Sequence, residues 1–123
     1  MILTKNFSFS EFECNDGSET PITLIPNIIE LADNLQALRD YFGVSISINS
    51  SYRSKDHNKS VGGSSRSQHL VAKASDIVVK GKTPEEVVEV IEMLIQKGVM
   101  KQGGLSAYST FTHYDIRGYK ARW

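Results

Sequence analysis

Apolar residues recur every three to four positions through the first third of the chain. Ile28, Leu31, Leu35, Leu38 and Phe42 form one stripe, the spacing of an amphipathic helix beginning near Asn27. Pro26 at its start and Gly43 just past the last apolar position are ordinary start and stop signals. The period then falls to two. Val44, Ile46 and Ile48 alternate with Ser45, Ser47 and Asn49, which predicts a half-buried strand. After a long polar stretch, "DIVVK" from Asp76 reads as a second strand. "TPEE" then opens a second helix, with Thr83 as N-cap, Pro84 at the first helical position and Glu86 completing a capping box. Val87, Val90, Ile91, Leu94 and Ile95 give this helix its buried face, and Gly98 ends it. "GGLSAY" and "STFTHYDIRG" are two further strand candidates, close enough to form a hairpin. Residues 1–25 show no period; "NDGS" and Pro21, with Pro26 just beyond, are turn material, and "FSFSEF" suits a short extended piece or one helical turn. These elements predict an α+β fold in which two main helices pack on a small, mostly antiparallel sheet.

Length and composition narrow the field. A chain of 123 residues holds one ordinary domain, so residues 1–123 are read as a single unit. A formal net charge of +0 leaves no electrostatic footprint for nucleic acid or an anionic membrane. Arg53, Lys55, Lys59 and Arg66 lie close together in sequence, as a solvated face or an anion site. One cysteine, Cys14, permits no intramolecular disulfide and is read as a structural or incidental thiol. No stretch approaches the roughly 20 apolar residues of a membrane span. The start "MILTKNFSFSEF" has neither a cationic n-region nor an apolar run of signal-peptide length, so synthesis in the cytoplasm without a signal peptide is expected. A monomer is expected.

The polar stretch is the anomaly. "SYRSKDHNKSVGGSSRSQHLVAKASDI" holds two of the three histidines and two arginines, and it ends on Asp76 at the edge of an apolar run. In the last strand candidate, alternation places Phe111, His113, Asp115 and Arg117 on one face, with Thr112, Tyr114 and Ile116 on the other. Such a polar row is expensive to bury unless its members pair or bind something. His69, Asp76 and His113 together are two imidazoles and one carboxylate, a set that suits zinc with a fourth position open to solvent. Taken singly, each has a commoner role: a hydrogen-bonded histidine, or an aspartate that caps a turn. No HExxH or CxxC motif tips the balance.

The segment Ser67-Gln68-His69-Leu70-Val71-Ala72-Lys73-Ala74-Ser75-Asp76 resembles the S-x-H-x-x-G-x-A-x-D motif of zinc D-alanyl-D-alanine carboxypeptidases and related peptidoglycan endopeptidases. Those enzymes share a fold with the signalling domain of hedgehog proteins. "SYRS" is similar to the family's strand-end arginine motif, "HNKSVGG" to its approach to the first ligand, and "FTHYDIR" to its F-x-H-x-D-x-R form. The opening "FSFSEFEC" resembles that of small phage and bacterial members, and the likeness covers nearly the whole chain.

The resemblance implies a zinc-dependent metallopeptidase acting on peptidoglycan peptides, with His69, Asp76 and His113 as ligands. It makes Asp115 the general base or the carboxylate that orients His113, because Thr110 stands where many relatives carry the acid three residues before the second histidine. Arg53 would grip a substrate carboxylate or carbonyl oxygen, unless it pairs with an acid of its own loop. Ser67 and Tyr108 would line the substrate site, Ser67 also serving the loop backbone. His57 is left over, expected to fix the loop by a hydrogen bond. Ala72 replaces the motif glycine, a small change at negative φ and a costly one at positive φ. Without a signal peptide, such a protein would meet the wall after release or lysis, as a phage-encoded lysis protein does. The competing reading is a zinc-stabilised binding or structural module without hydrolysis.

Overall fold

The computed structural model describes all 123 residues. Its first long helix, Ile25–Phe42 (α1), carries Pro26 in its first turn and ends at Gly43, whose φ of 67° closes the helix in the left-handed conformation. A strand, Ile46–Ser50 (β1), leads to a short helix, Lys55–Ser60 (α2), within the polar stretch. A single 3-10 turn over Gln68–Val71 then precedes the strand Ala74–Val79 (β2). The helix Pro84–Gln96 (α3) starts with the reciprocal capping box, Thr83 Oγ1 accepting from Glu86 N at 3.1 Å and Glu86 Oε1 accepting from Thr83 N at 3.0 Å. The strands Gly104–Ala107 (β3), Thr112–Asp115 (β4) and Ala121–Arg122 (β5) complete the fold.

The sheet runs β1-β2-β4-β3-β5, antiparallel except for the β3–β5 pair, which is parallel. The fold is thus α+β with a five-stranded mixed sheet. α2 inside the polar stretch and β5 after the last strand candidate go beyond the pattern read from sequence. Of the two forms open to "FSFSEF", Phe9–Phe12 takes the helical turn, a 3-10 one.

One face of the sheet is apolar. Ile77, Val79, Leu105 and Tyr114 share a buried cluster with Leu31, Leu35 and Leu38 of α1 and Val87, Ile91 and Leu94 of α3. Tyr114 is anchored beneath α1, its hydroxyl donating to Lys101 O at 2.7 Å. With Tyr114 committed to the helices, the two-residue period turns His113 and Asp115 to the opposite face. There the register sets Ser50 of β1 beside Asp76 of β2, Asp76 beside His113 of β4, and His113 beside Ser106 of β3. A polar row therefore crosses four strands. A register shift between Ile48 and Ser50, one residue longer on β1, brings Ser50 opposite Asp76. No helix is long and apolar enough to cross a membrane.

Candidate metal centre

Asp76 lies in mid-strand, not at the strand edge, and His113 is its direct partner across the ladder. The third member arrives from a different kind of structure. Ser67 caps the 3-10 turn, its hydroxyl accepting from His69 N at 3.2 Å, and Ala72 closes that turn in the left-handed region at φ 58° and ψ 31°. This sharp reversal brings His69 back over β2.

His69 Nε2 lies 3.2 Å and His113 Nδ1 3.1 Å from the same Asp76 oxygen, Oδ1. All three side chains are buried, and their ligand atoms lie within 4.8 Å of one another. Ligands held about 2.0–2.2 Å from one tetrahedral ion stand roughly 3.4 Å apart, so the spacing suits zinc.

The outer nitrogens decide what the inner ones can do. His69 Nδ1 is 2.6 Å from the Ser51 carbonyl, and His113 Nε2 is 2.8 Å from Asp115 Oδ2. Both partners only accept, so both outer nitrogens carry hydrogen. In the neutral imidazoles the inner nitrogens then present lone pairs to a carboxylate that has none but lone pairs to offer. Three acceptors converging on one point require added protons or a cation. Burial alone would lower the basicity of His113, but the Asp115 and Asp76 carboxylates outweigh it and raise its pKa. For Asp76, burial pushes the carboxyl up, while hydrogen bonds from His113 and His69 prevail and hold it well below the usual carboxylate range.

Asp115 is fully buried behind His113. Oδ1 accepts from Gly104 N at 2.8 Å, Arg117 N at 3.1 Å and Arg117 Nε at 2.9 Å; Oδ2 accepts from His113 Nε2 and from Arg117 Nη2 at 2.7 Å. Its carboxylate therefore faces the nitrogen of His113 that points away from Asp76. Of the two roles expected of Asp115, the general base has no geometric support here, because the lone pairs are taken and the group does not line the cleft. The orienting role matches its contacts. The Gly103–Gly104 pair permits this, since a Cβ at either position would run into Asp115.

Arg53 reaches the same row. Nη2 donates to Asp76 Oδ2 at 3.1 Å, while Nε donates to Ser50 Oγ and Nη1 to Asn58 Oδ1. Asn58, missed in the sequence, is buried and also donates to Ser64 O at 2.9 Å, so one amide ties Arg53 to the Gly-Gly loop. The imidazole of His57 makes no hydrogen bond within the protein; only its backbone does, so the expected loop-fixing contact is not formed.

A cleft of about 560 Å³ opens above the row, reaching Arg53, Arg66, Ser67, Tyr108 and Arg117, with Asp76 its single acid. Tyr108 is exposed, stacks on Phe111 with ring centroids 4.5 Å apart, and accepts from Trp123 Nε1 at 2.7 Å. Trp123 packs 4.9 Å from the His113 ring. Its place in the site had no sequence signal, because it depends on β5 pairing with β3. A groove of similar size, about 610 Å³, lies by Tyr41, Phe42 and Met93 but contains no imidazole or thiol. Donor chemistry, not size, selects the first.

The sequence pattern of the family described as Peptidase M15 matches residues 5–115, a span that includes His69, Asp76, His113 and Asp115. The chain belongs to the peptidase M15 family. A comparison with curated proteins returned no match. M15 peptidases are generally zinc-dependent, and the donor set in this member fits such an ion.

Ala72 is the one residue with a side chain at positive φ, and it is fully buried. The left-handed region costs a residue with a Cβ roughly 1–2 kcal/mol. Restoring glycine removes that strain, but adds backbone freedom to the unfolded chain, worth about 0.5–1 kcal/mol, and loses a buried methyl worth about 0.8 kcal/mol. The terms nearly cancel. Ala72→Gly is expected to change stability by less than about 1 kcal/mol, measured by denaturant unfolding; a larger gain would mean that the methyl packs poorly.

Proposed function

We propose that this chain is a zinc metallopeptidase that hydrolyses peptide bonds in bacterial cell-wall peptidoglycan, in stem peptides or cross-links, as a carboxypeptidase or endopeptidase. The observation that carries the reading is the pair of imidazoles whose outer nitrogens are tied to oxygens and whose inner nitrogens meet Asp76 at the floor of a cleft. In this reading His69 Nε2, Asp76 Oδ1 and His113 Nδ1 hold the zinc. When bound, zinc supplies Lewis acidity toward a peptide carbonyl and toward water.

The remaining roles belong to the protein. The Ser51 carbonyl keeps the proton of His69 on Nδ1, and Asp115 keeps that of His113 on Nε2. Arg53, held in place by Ser50, Asn58 and Asp76, has further N–H groups to orient a substrate carboxylate or carbonyl oxygen. Arg66 adds positive charge to a cleft with one acid, whereas that of Arg117 is neutralised by Asp115, and the balance suits peptides bearing free carboxylates. Ser67 and the Tyr108 hydroxyl lie along the same cleft as substrate contacts.

The second reading, a zinc-binding module without hydrolysis, is favoured by one observation: the cleft has no carboxylate besides Asp76, and Thr110 occupies the position expected of an acid. Incubation of the zinc-loaded protein with purified peptidoglycan separates the two. New amino termini or released D-alanine, detected by mass spectrometry and lost on chelation, are expected of the peptidase and identify the bond cut. Zinc bound by His69, Asp76 and His113, as shown by its loss in His69→Ala, without any new terminus would favour the module.

A further inference from the structure

A second group of ligand-bearing side chains lies where the N-terminal segment meets the Arg53 segment. Cys14, Asp16 and His57 each present a ligand atom within 4.8 Å of the other two. They come from separate pieces of chain. Cys14 and Asp16 sit in a turn closed by Gly17 N donating to Cys14 O at 3.0 Å, with Gly17 at φ 83°. His57 stands in α2.

The arrangement is held in place before any ion arrives. Ser54 N donates to Cys14 Sγ at 3.4 Å, Ser54 Oγ donates to Asp16 Oδ2 at 2.9 Å, and Asp16 Oδ1 accepts from Ser18 N at 2.8 Å. The thiol is buried, the carboxylate exposed and the imidazole half-buried, so the cluster opens to solvent on one side. The His57 ring has no hydrogen-bond partner in the protein although it lies beside a thiol and a carboxylate. Water can satisfy a half-buried ring; what packing does not require is a thiol, a carboxylate and an imidazole converging on one point.

We propose that Cys14, Asp16 and His57 form a second divalent-metal site, of the thiolate–imidazole–carboxylate kind that selects zinc over magnesium or calcium. The sulfur and nitrogen donors supply that preference. As the Sγ–metal bond forms, the thiol proton leaves to solvent, and the sulfur becomes the anionic ligand. The fourth position falls on the open side. An ion here cross-links the N-terminal turn to α2, next to the residue that precedes it, Ser54, and so steadies the segment carrying Arg53. The inference does not depend on hydrolysis.

Cobalt(II) alone, added to the metal-stripped full chain, is the probe. Two equivalents are expected to bind, one bringing a near-ultraviolet thiolate-to-cobalt charge-transfer band. His69→Ala should remove one equivalent and keep the band. Cys14→Ser should remove the other equivalent and the band together. Because Cys14 is buried and its replacement could unfold the chain, His57→Ala is the second variant. It should weaken the band-forming equivalent by at least about tenfold while the other stays intact. Saturation at one equivalent without the band would overturn the proposal, as would a band that His57→Ala leaves at full affinity.

Discussion

Asp115→Ala is expected to destabilise the protein by about 3 kcal/mol, in the range found when one partner of a buried ion pair is removed. The substitution strips the acceptor from Arg117, His113 Nε2 and Gly104 N together. Arg117 is partly exposed and can turn to water, which keeps the cost at the low end of that range. The glycine amide and the imidazole are enclosed and cannot. Asp115→Asn is the sharper test, because it keeps the shape and one oxygen. If Asp115 orients His113, the amide weakens the grip on Nε2–H and lowers zinc affinity by roughly 10–100-fold, measured by competition with a chromophoric chelator. A general base would behave differently: Asp115→Asn would leave zinc affinity unchanged and lose hydrolysis alone. The buried, fully hydrogen-bonded carboxylate predicts the first outcome.

That distinction shows where reading the sequence stops. Alternation along "FTHYDIR" suffices to put His113 and Asp115 on one face and Tyr114 on the other, because a strand has only two faces. It says nothing of which ring nitrogen faces which carboxylate, since that depends on a side-chain rotation fixed by Gly104 and Arg117 from neighbouring positions. The two long helices were legible because their stripes repeat over several turns and Thr83, Pro84 and Glu86 mark a start by local chemistry. β5 was not. Two residues carry no period, and its place is set by parallel pairing with β3 and by Arg122 bridging to Glu92 at 2.8 Å. Asn58 likewise reads as one more polar loop residue, because burial of its amide depends on how the loop closes around it, with Arg53 five residues before and Ser64 six after. For Ala72 the sequence could frame the question of backbone sign but not answer it.

Asp76→Ala is expected to abolish zinc binding between His69 and His113, and with it any hydrolysis, a larger effect on affinity than loss of the supporting Asp115. Thermal melts check this without an activity assay. Zinc at about 100 times its Kd stabilises a folded protein by about 2.7 kcal/mol; with His57→Ala as the background, so that only this site responds, that shift should vanish in the variant. The metal-free protein should respond in a pH-dependent way. The carboxylates raise the pKa of His113 above its ordinary 6.5. The stability gained from its proton is therefore fully present below that ordinary value and is lost as pH rises through the raised one. With chelator present, Asp76→Ala should cost more stability on the acid side of this window, where a protonated His113 loses its acceptor. On the alkaline side the cost should shrink, because removing Asp76 takes one acceptor from a meeting of three and leaves only Arg53 without its partner. An equal cost on both sides would mean that protons do not occupy the point where the three side chains meet, and the case for a cation there would lose its physical basis.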